Sequence, residues 1–69
     1  MEKTVLTVEG MACEHCVMTI TRAVGALPGV VEVSVDLKEK LVTVTYDPAR
    51  TMVEKIKNEI QEQGYDVVA

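Results

Sequence analysis

Residues 31–47 read VEVSVDLKEKLVTVTYD. Val31, Val33, Val35 and Leu37 alternate with Glu32, Ser34 and Asp36, the period of two that turns one row of side chains to a core and the other to water. LVTVTYD repeats the pattern with Val42, Val44 and Tyr46 inward, and the KEK link is short enough to make the two runs a hairpin. That link has no Asn-Gly or Asp-Gly, so Glu39 or its neighbours must shape the turn.

Working outward, KTVLTVE at 3–9 sets Thr4, Leu6 and Val8 against Val5, Thr7 and Glu9, and its β-branched content fits a strand ending at Gly10. From Glu14 to Leu27 the apolar positions Val17, Ile20, Val24 and Leu27 recur at spacings of three, four and three, a helical stripe that Pro28 and Gly29 stop. Thr51-Met52-Val53-Glu54 has the form of a capping box, which predicts a second helix from that point with Val53, Ile56 and Ile60 inward. Glu54, Lys55, Lys57, Glu59 and Glu62 form its solvated face, Gly64 ends it, and YDVV is a last short strand. The order β-α-β-β-α-β, with two amphipathic helices that each need a sheet to cover, predicts an α+β, ferredoxin-like fold: a four-stranded antiparallel sheet with both helices on one face.

A chain of 69 residues, 48% hydrophobic and 26% charged, is expected to form a single folded domain over 1–69 rather than a disordered segment. Eleven acidic residues against seven basic give a net charge of −4, no Lys/Arg run forms a phosphate-binding patch, and the aromatics are only Tyr46 and Tyr65. Nucleic acid is therefore not an expected partner. The N-terminus MEKTVLTVEGMA has neither an apolar block of signal-peptide length nor a membrane span, so a cytoplasmic chain with no direct membrane insertion is expected.

The chemistry gathers in EGMACEHCVMTI at 9–20, which holds both cysteines and the only histidine. In a reducing compartment a Cys-x-x-Cys pair more often binds metal or cycles redox state than forms a structural disulfide. Cys13 and Cys16 stand where the first strand passes into the first helix, and the partial positive charge of a helix N-terminus favours thiolate, the metal-binding form. Positions three apart at a helix start lie on one face, and with Cys13 just outside regular helix the sulfur separation is adjustable. Structural zinc wants four protein ligands, whereas the chain offers two thiolates and His15 between them. A soft ion that accepts few ligands, Cu(I), fits such a pair and leaves room for an incoming thiolate.

GMACEHC, followed by LPGVVEVSVDL, VTVTYD and a terminal GYDV, resembles the heavy-metal-associated domain family from about Thr4 to Val68, and within it the small bacterial copper chaperones. The resemblance implies that Cys13 and Cys16 bind Cu(I) and that the ion passes to the N-terminal metal-binding domains of a copper-exporting P-type ATPase, with no enzymatic step. It also implies that Met11 turns into the core and pins the loop, and that Tyr65 lies beside the metal, shielding it or hydrogen-bonding a sulfur. His15 is expected to be exposed, either as a plain surface residue or as a group that tunes the neighbouring thiolates. Two chains contributing four cysteines would make a copper-bridged homodimer.

Other readings compete. The same fold serves Hg(II), Zn(II) and Cd(II), although zinc-selective relatives tend to have an acidic residue beside the motif where this chain has Ala12, and mercury carriers usually have a signal sequence. Cys-x-x-Cys at a helix start is also the signature of thioredoxin-like dithiol oxidoreductases. Those characteristically place a proline opposite the dithiol, whereas Pro28 and Pro48 here fall in turns.

Overall fold

The computed structural model describes residues 1–11 and 13–68. Its elements run β1 (Glu2–Glu9), α1 (Glu14–Gly25), β2 (Val30–Asp36), β3 (Leu41–Tyr46), α2 (Val53–Glu62) and β4 (Asp66–Val67). All strand pairings are antiparallel in one sheet of order β2-β3-β1-β4. This is the βαββαβ arrangement that the patterns predict.

Leu6 and Val8 of β1 and Val42, Val44 and Tyr46 of β3 are buried against Ile20 and Val24 of α1 and Ile56 and Ile60 of α2 in one core. The helical stripes thus cover one face of the two central strands, each fully buried aliphatic side chain contributing about 1.5–3 kcal/mol. The opposite face is open, and Val5 on it is 54% exposed.

Three local features depart from the sequence expectations. Val31, expected inward, is 61% exposed because the β2–β3 register shifts between Val30 and Glu32. The irregularity seats Val30 opposite Tyr46 and Val33 opposite Val44, so Val30 replaces Val31 in the inward row. α1 stops at Gly25, short of Leu27, whose half-buried side chain packs on the core from the following turn. The capping box does not form: α2 starts at Val53 with Met52 as N-cap and no side-chain cap bond. Thr51 is instead buried, 6% exposed, with its methyl against Gly29, and that tertiary contact outweighs the local cap.

The turn between β2 and β3 spans Leu37–Lys40. The Glu39 N–H donates to Asp36 Oδ1 at 3.1 Å, and Lys40 takes the left-handed conformation, φ 60°, that a glycine would adopt without strain. Register then decides what surrounds the cysteines. Glu2 pairs with Tyr46 and Thr7 with Leu41, so the hairpin turn flanks the end of β1 that leads into the cysteine loop, and the Val8 N–H donates to the Lys40 carbonyl at 2.9 Å. β4 pairs there too, Val8 with Val67 and Glu9 with Asp66. The Pro28–Gly29 and Asp47–Arg50 turns meet at the other end, where the Asp47 N–H donates to the Gly29 carbonyl at 2.7 Å.

Gly29 and Gly25 separate steric need from simple tolerance. A Cβ on Gly29, φ +95°, would lie 2.8 Å from Arg50 Cβ, whereas one on Gly25 would meet nothing within 4 Å. Gly29→Ala should lower unfolding free energy by about 3 kcal/mol and Gly25→Ala raise it by about 0.5 kcal/mol, read from urea midpoints at constant m. Midpoints that move in the same direction would contradict this packing.

Candidate metal centre

β1 ends at Glu9, and Gly10, at φ +98°, turns the chain out of the sheet. Met11 is then 5% exposed and belongs to the core. Ala12, whose side chain bears on the zinc alternative, lies outside the described residues. Cys13 is the N-cap of α1 in extended backbone, φ −157° and ψ 170°, and its carbonyl accepts the Cys16 N–H at 3.0 Å and the Val17 N–H at 3.3 Å. A cysteine stands where Ser, Thr, Asp or Asn usually caps, so the sulfur of Cys13 is left for other chemistry.

The two sulfurs are 3.6 Å apart. Cys13 is exposed, Cys16 is half-buried and packs against the core, and neither is in a disulfide. A disulfide requires about 2.05 Å between sulfurs. Two sulfurs facing each other across one ion at about 2.3 Å per bond stand about 4.6 Å apart. The observed separation lies between these. Among the described residues no group of three or more His, Cys, Asp or Glu side chains is placed to hold an ion. The donor set is therefore a pair, open on one side.

His15 is exposed in the first turn of α1, and its carbonyl accepts the Thr19 hydroxyl at 3.0 Å. Tyr65 reaches the site from the α2–β4 connection, after Gly64 at φ +95°. Its ring lies over Gly10, where an added Cβ would stand 3.3 Å from Tyr65 Cδ1. Cys16, Cys13 and Thr19 are the groups that act on the phenol. It is held protonated beyond its ordinary 10.0, first by the hydrogen bond to Cys16, then by desolvation and the negative charge of Cys16 and Cys13, with Thr19 opposing. Gly10 and Thr19 were not among the residues singled out from the sequence. Thr19 carried one signal, being a hydroxyl residue one turn beyond Cys16 on the same helix face.

Pro28 and Pro48 belong to turns at the far end of the sheet, away from the sulfurs. Neither can face the dithiol as a thioredoxin-like site requires.

The Heavy-metal-associated domain model matches residues 5–66. The chain belongs to this family. It is 45% identical over 67 residues, 97% of each chain, to the copper chaperone CopZ of Bacillus subtilis. A solved CopZ metallochaperone superposes with a TM-score of 0.96 at 39% identity, covering 97% of this chain and all of that one. A copper binding domain from HMA7, a P-type ATPase, superposes with a TM-score of 0.94 at 32% identity, over all of this chain and 96% of that one. The fold is thus shared by a copper chaperone and by a copper binding domain from a P-type ATPase.

Tyr65 should reveal its surroundings by titration. In Tyr46→Phe, which leaves it the only tyrosine, phenolate absorbance should rise with a midpoint above 10.0. Because the folded value is the higher one, Tyr65 contributes stability that is complete below the unfolded value and is lost as pH climbs through the folded one. A midpoint at or below 10.0 would contradict the hydrogen bond to Cys16.

Proposed function

We propose that the chain is a cytoplasmic, non-enzymatic carrier that binds one cuprous ion between Cys13 and Cys16 and delivers it to the N-terminal metal-binding domains of a copper-exporting P-type ATPase. The observation that carries the reading is the pair of unbridged cysteine sulfurs, 3.6 Å apart at the N-terminus of α1. Two sulfurs satisfy an ion that is soft and content with few ligands; they leave Zn(II) two ligands short of the closed tetrahedron it takes in structural sites. The copper chaperones and the pump domain that share the fold support the choice of cargo and of partner.

Delivery proceeds by ligand exchange. A thiolate of the partner joins the ion on its open side, a chain sulfur leaves, and a second exchange completes the passage, so that copper stays bound to sulfur throughout and keeps its oxidation state. Met11 pins the loop from the core, His15 stands exposed between the cysteines, and Tyr65 screens the Cys16 side. Since only thiolates bind, protons compete with copper and retention falls with pH. Two chains meeting through their cysteines can share bridging copper as a homodimer.

With anaerobic protein, the wild-type chain should keep one cuprous ion against a chromogenic Cu(I) chelator that strips it from Cys13→Ala and from Cys16→Ala, while His15→Ala keeps it. Retention by either cysteine variant would sink the reading. Sedimentation should show copper-loaded chains associating at ratios where the metal-free chain is monomeric. A monomer at every copper ratio would remove the homodimer.

A further inference from the structure

We propose that the segment Gly64–Val68 is a strap across the root of the cysteine loop and that Lys40 is its latch: by neutralising Glu9 opposite Asp66, the ammonium keeps β4 paired and Tyr65 seated on Gly10. The inference concerns the metal-free chain and stands whichever metal the cysteines take.

Little regular structure fastens the strap. β4 is two residues long and lies at the edge of the sheet, paired on one side only. It pairs Val67 with Val8 and Asp66 with Glu9, and the Val68 N–H extends the ladder by donating to the Thr7 carbonyl at 2.9 Å. Just before β4, Tyr65 lies over Gly10, the residue at φ +98° from which the cysteine loop leaves β1. A Cβ on Gly10 would stand 3.3 Å from Tyr65 Cδ1 and 4.0 Å from Tyr65 Cα. Release of β4 therefore lifts the ring from the root of the loop. Tyr65 is also the group on which both sulfurs act.

One pair of side chains opposes closure. Glu9 and Asp66 are directly opposite on antiparallel strands, so both carboxylates stand on the open face of the sheet, with Cβ atoms about 4.5–5.5 Å apart. Like charges so placed push the strands apart. Lys40 acts from the other side of β1. Its ammonium is 3.6 Å from Glu9 Oε2 and its carbonyl accepts the Val8 N–H at 2.9 Å, so the β2–β3 turn grips β1 at the two residues that β4 pairs with. Among the described residues Lys40 alone takes a positive φ, 60°, without being a glycine. A glycine would adopt that conformation without strain but would bring no ammonium, so the strain is kept where the charge serves. The ion pair is exposed, and its effect therefore falls on a local opening and not on the whole fold.

The test is hydrogen exchange of the metal-free, reduced full chain at neutral pH, read by NMR at the Val68 amide, where the rate follows the equilibrium opening of the strap. None of the substitutions alters residue 67 or 68, so the intrinsic rate of that amide is unchanged. Lys40→Gln should speed Val68 exchange about threefold and Asp66→Asn should slow it about threefold, the size of one cross-strand charge pair. In the Asp66→Asn background, Lys40→Gln should have no further effect. Tyr65→Ala should also speed Val68 exchange, because ring and strand open as a unit. The Asp47 amide, bonded to the Gly29 carbonyl at the far end of the sheet, should keep its wild-type rate in both charge variants. An unchanged Val68 rate in Lys40→Gln, an equal acceleration in the Asp66→Asn background, or an unchanged rate in Tyr65→Ala would each overturn the proposal. So would a parallel change at Asp47, which would assign the effect to the whole fold. Copper plays no part in the measurement, so its outcome is separate from that of the chelator experiment.

Discussion

Everything at the cysteine loop depends on the burial of Met11 and Ile20 on either side of it. The loop carries the chemistry, yet it is held by residues that take no direct part in it. Met11 anchors the approach from β1, and Ile20 with Val24 anchors α1 over the sheet. Between these anchors the chain must turn sharply, which Gly10 permits at φ +98°, and then enter a helix whose first N–H groups have no partners within it. The result is a fixed base beneath two sulfurs. Cys16 inherits that fixity because it stands in the first turn and touches the core; Cys13, one step outside regular helix, does not.

Ligand number follows from the same geometry. Among the described residues, no group of three or more His, Cys, Asp or Glu side chains gathers at the loop to close a shell around an ion. Strand register enforces this from the other side. It brings the Lys38–Lys40 turn and the Gly64–Tyr65 connection to the cysteine end of the sheet and sends both prolines to the opposite end. At the same end, Tyr65 is the residue on which both cysteines act, and Lys40 and Glu9 form an exposed ion pair at 3.6 Å. The ion pair, on the surface, contributes about 0–1 kcal/mol. The phenol is the neighbour that matters.

The fold was legible wherever a pattern repeats over several residues. The rows of β1 and β3 and the stripes of α1 and α2 each commit many side chains at once, so one irregular position cannot overturn them. Single positions were legible only where local chemistry and tertiary packing agree. At Val30-Val31 two adjacent apolar residues offer the same composition to either register, and the sheet, not the strand, chooses Val30. At Thr51 the local signal was strong, but its methyl packs over Gly29 and α2 starts one residue later without a side-chain cap bond. The cysteine pair was legible because its spacing is itself the signal. Its partners Gly10 and Thr19 were not, since the residue that gives them meaning, Tyr65, arrives from the far end of the sequence and only the fold makes them neighbours.

A site of this kind also places a demand on where stability comes from. When a metal's ligands are the main cross-links of a small chain, metal binding and folding are one event, and release of the ion unfolds the protein. Here the fully buried side chains Ile20, Val24, Val42, Val44, Ile56, Ile60 and Val8 knit both helices to both central strands, and neither cysteine is among them. The sulfurs span a single turn of one helix, so linking them closes only a short local loop and removes little chain entropy. Stability therefore resides in the apolar core and affinity in the loop, with Cys16 as the point of contact between them. A rearrangement of the two sulfurs, 3.6 Å apart, therefore leaves the scaffold beneath them folded.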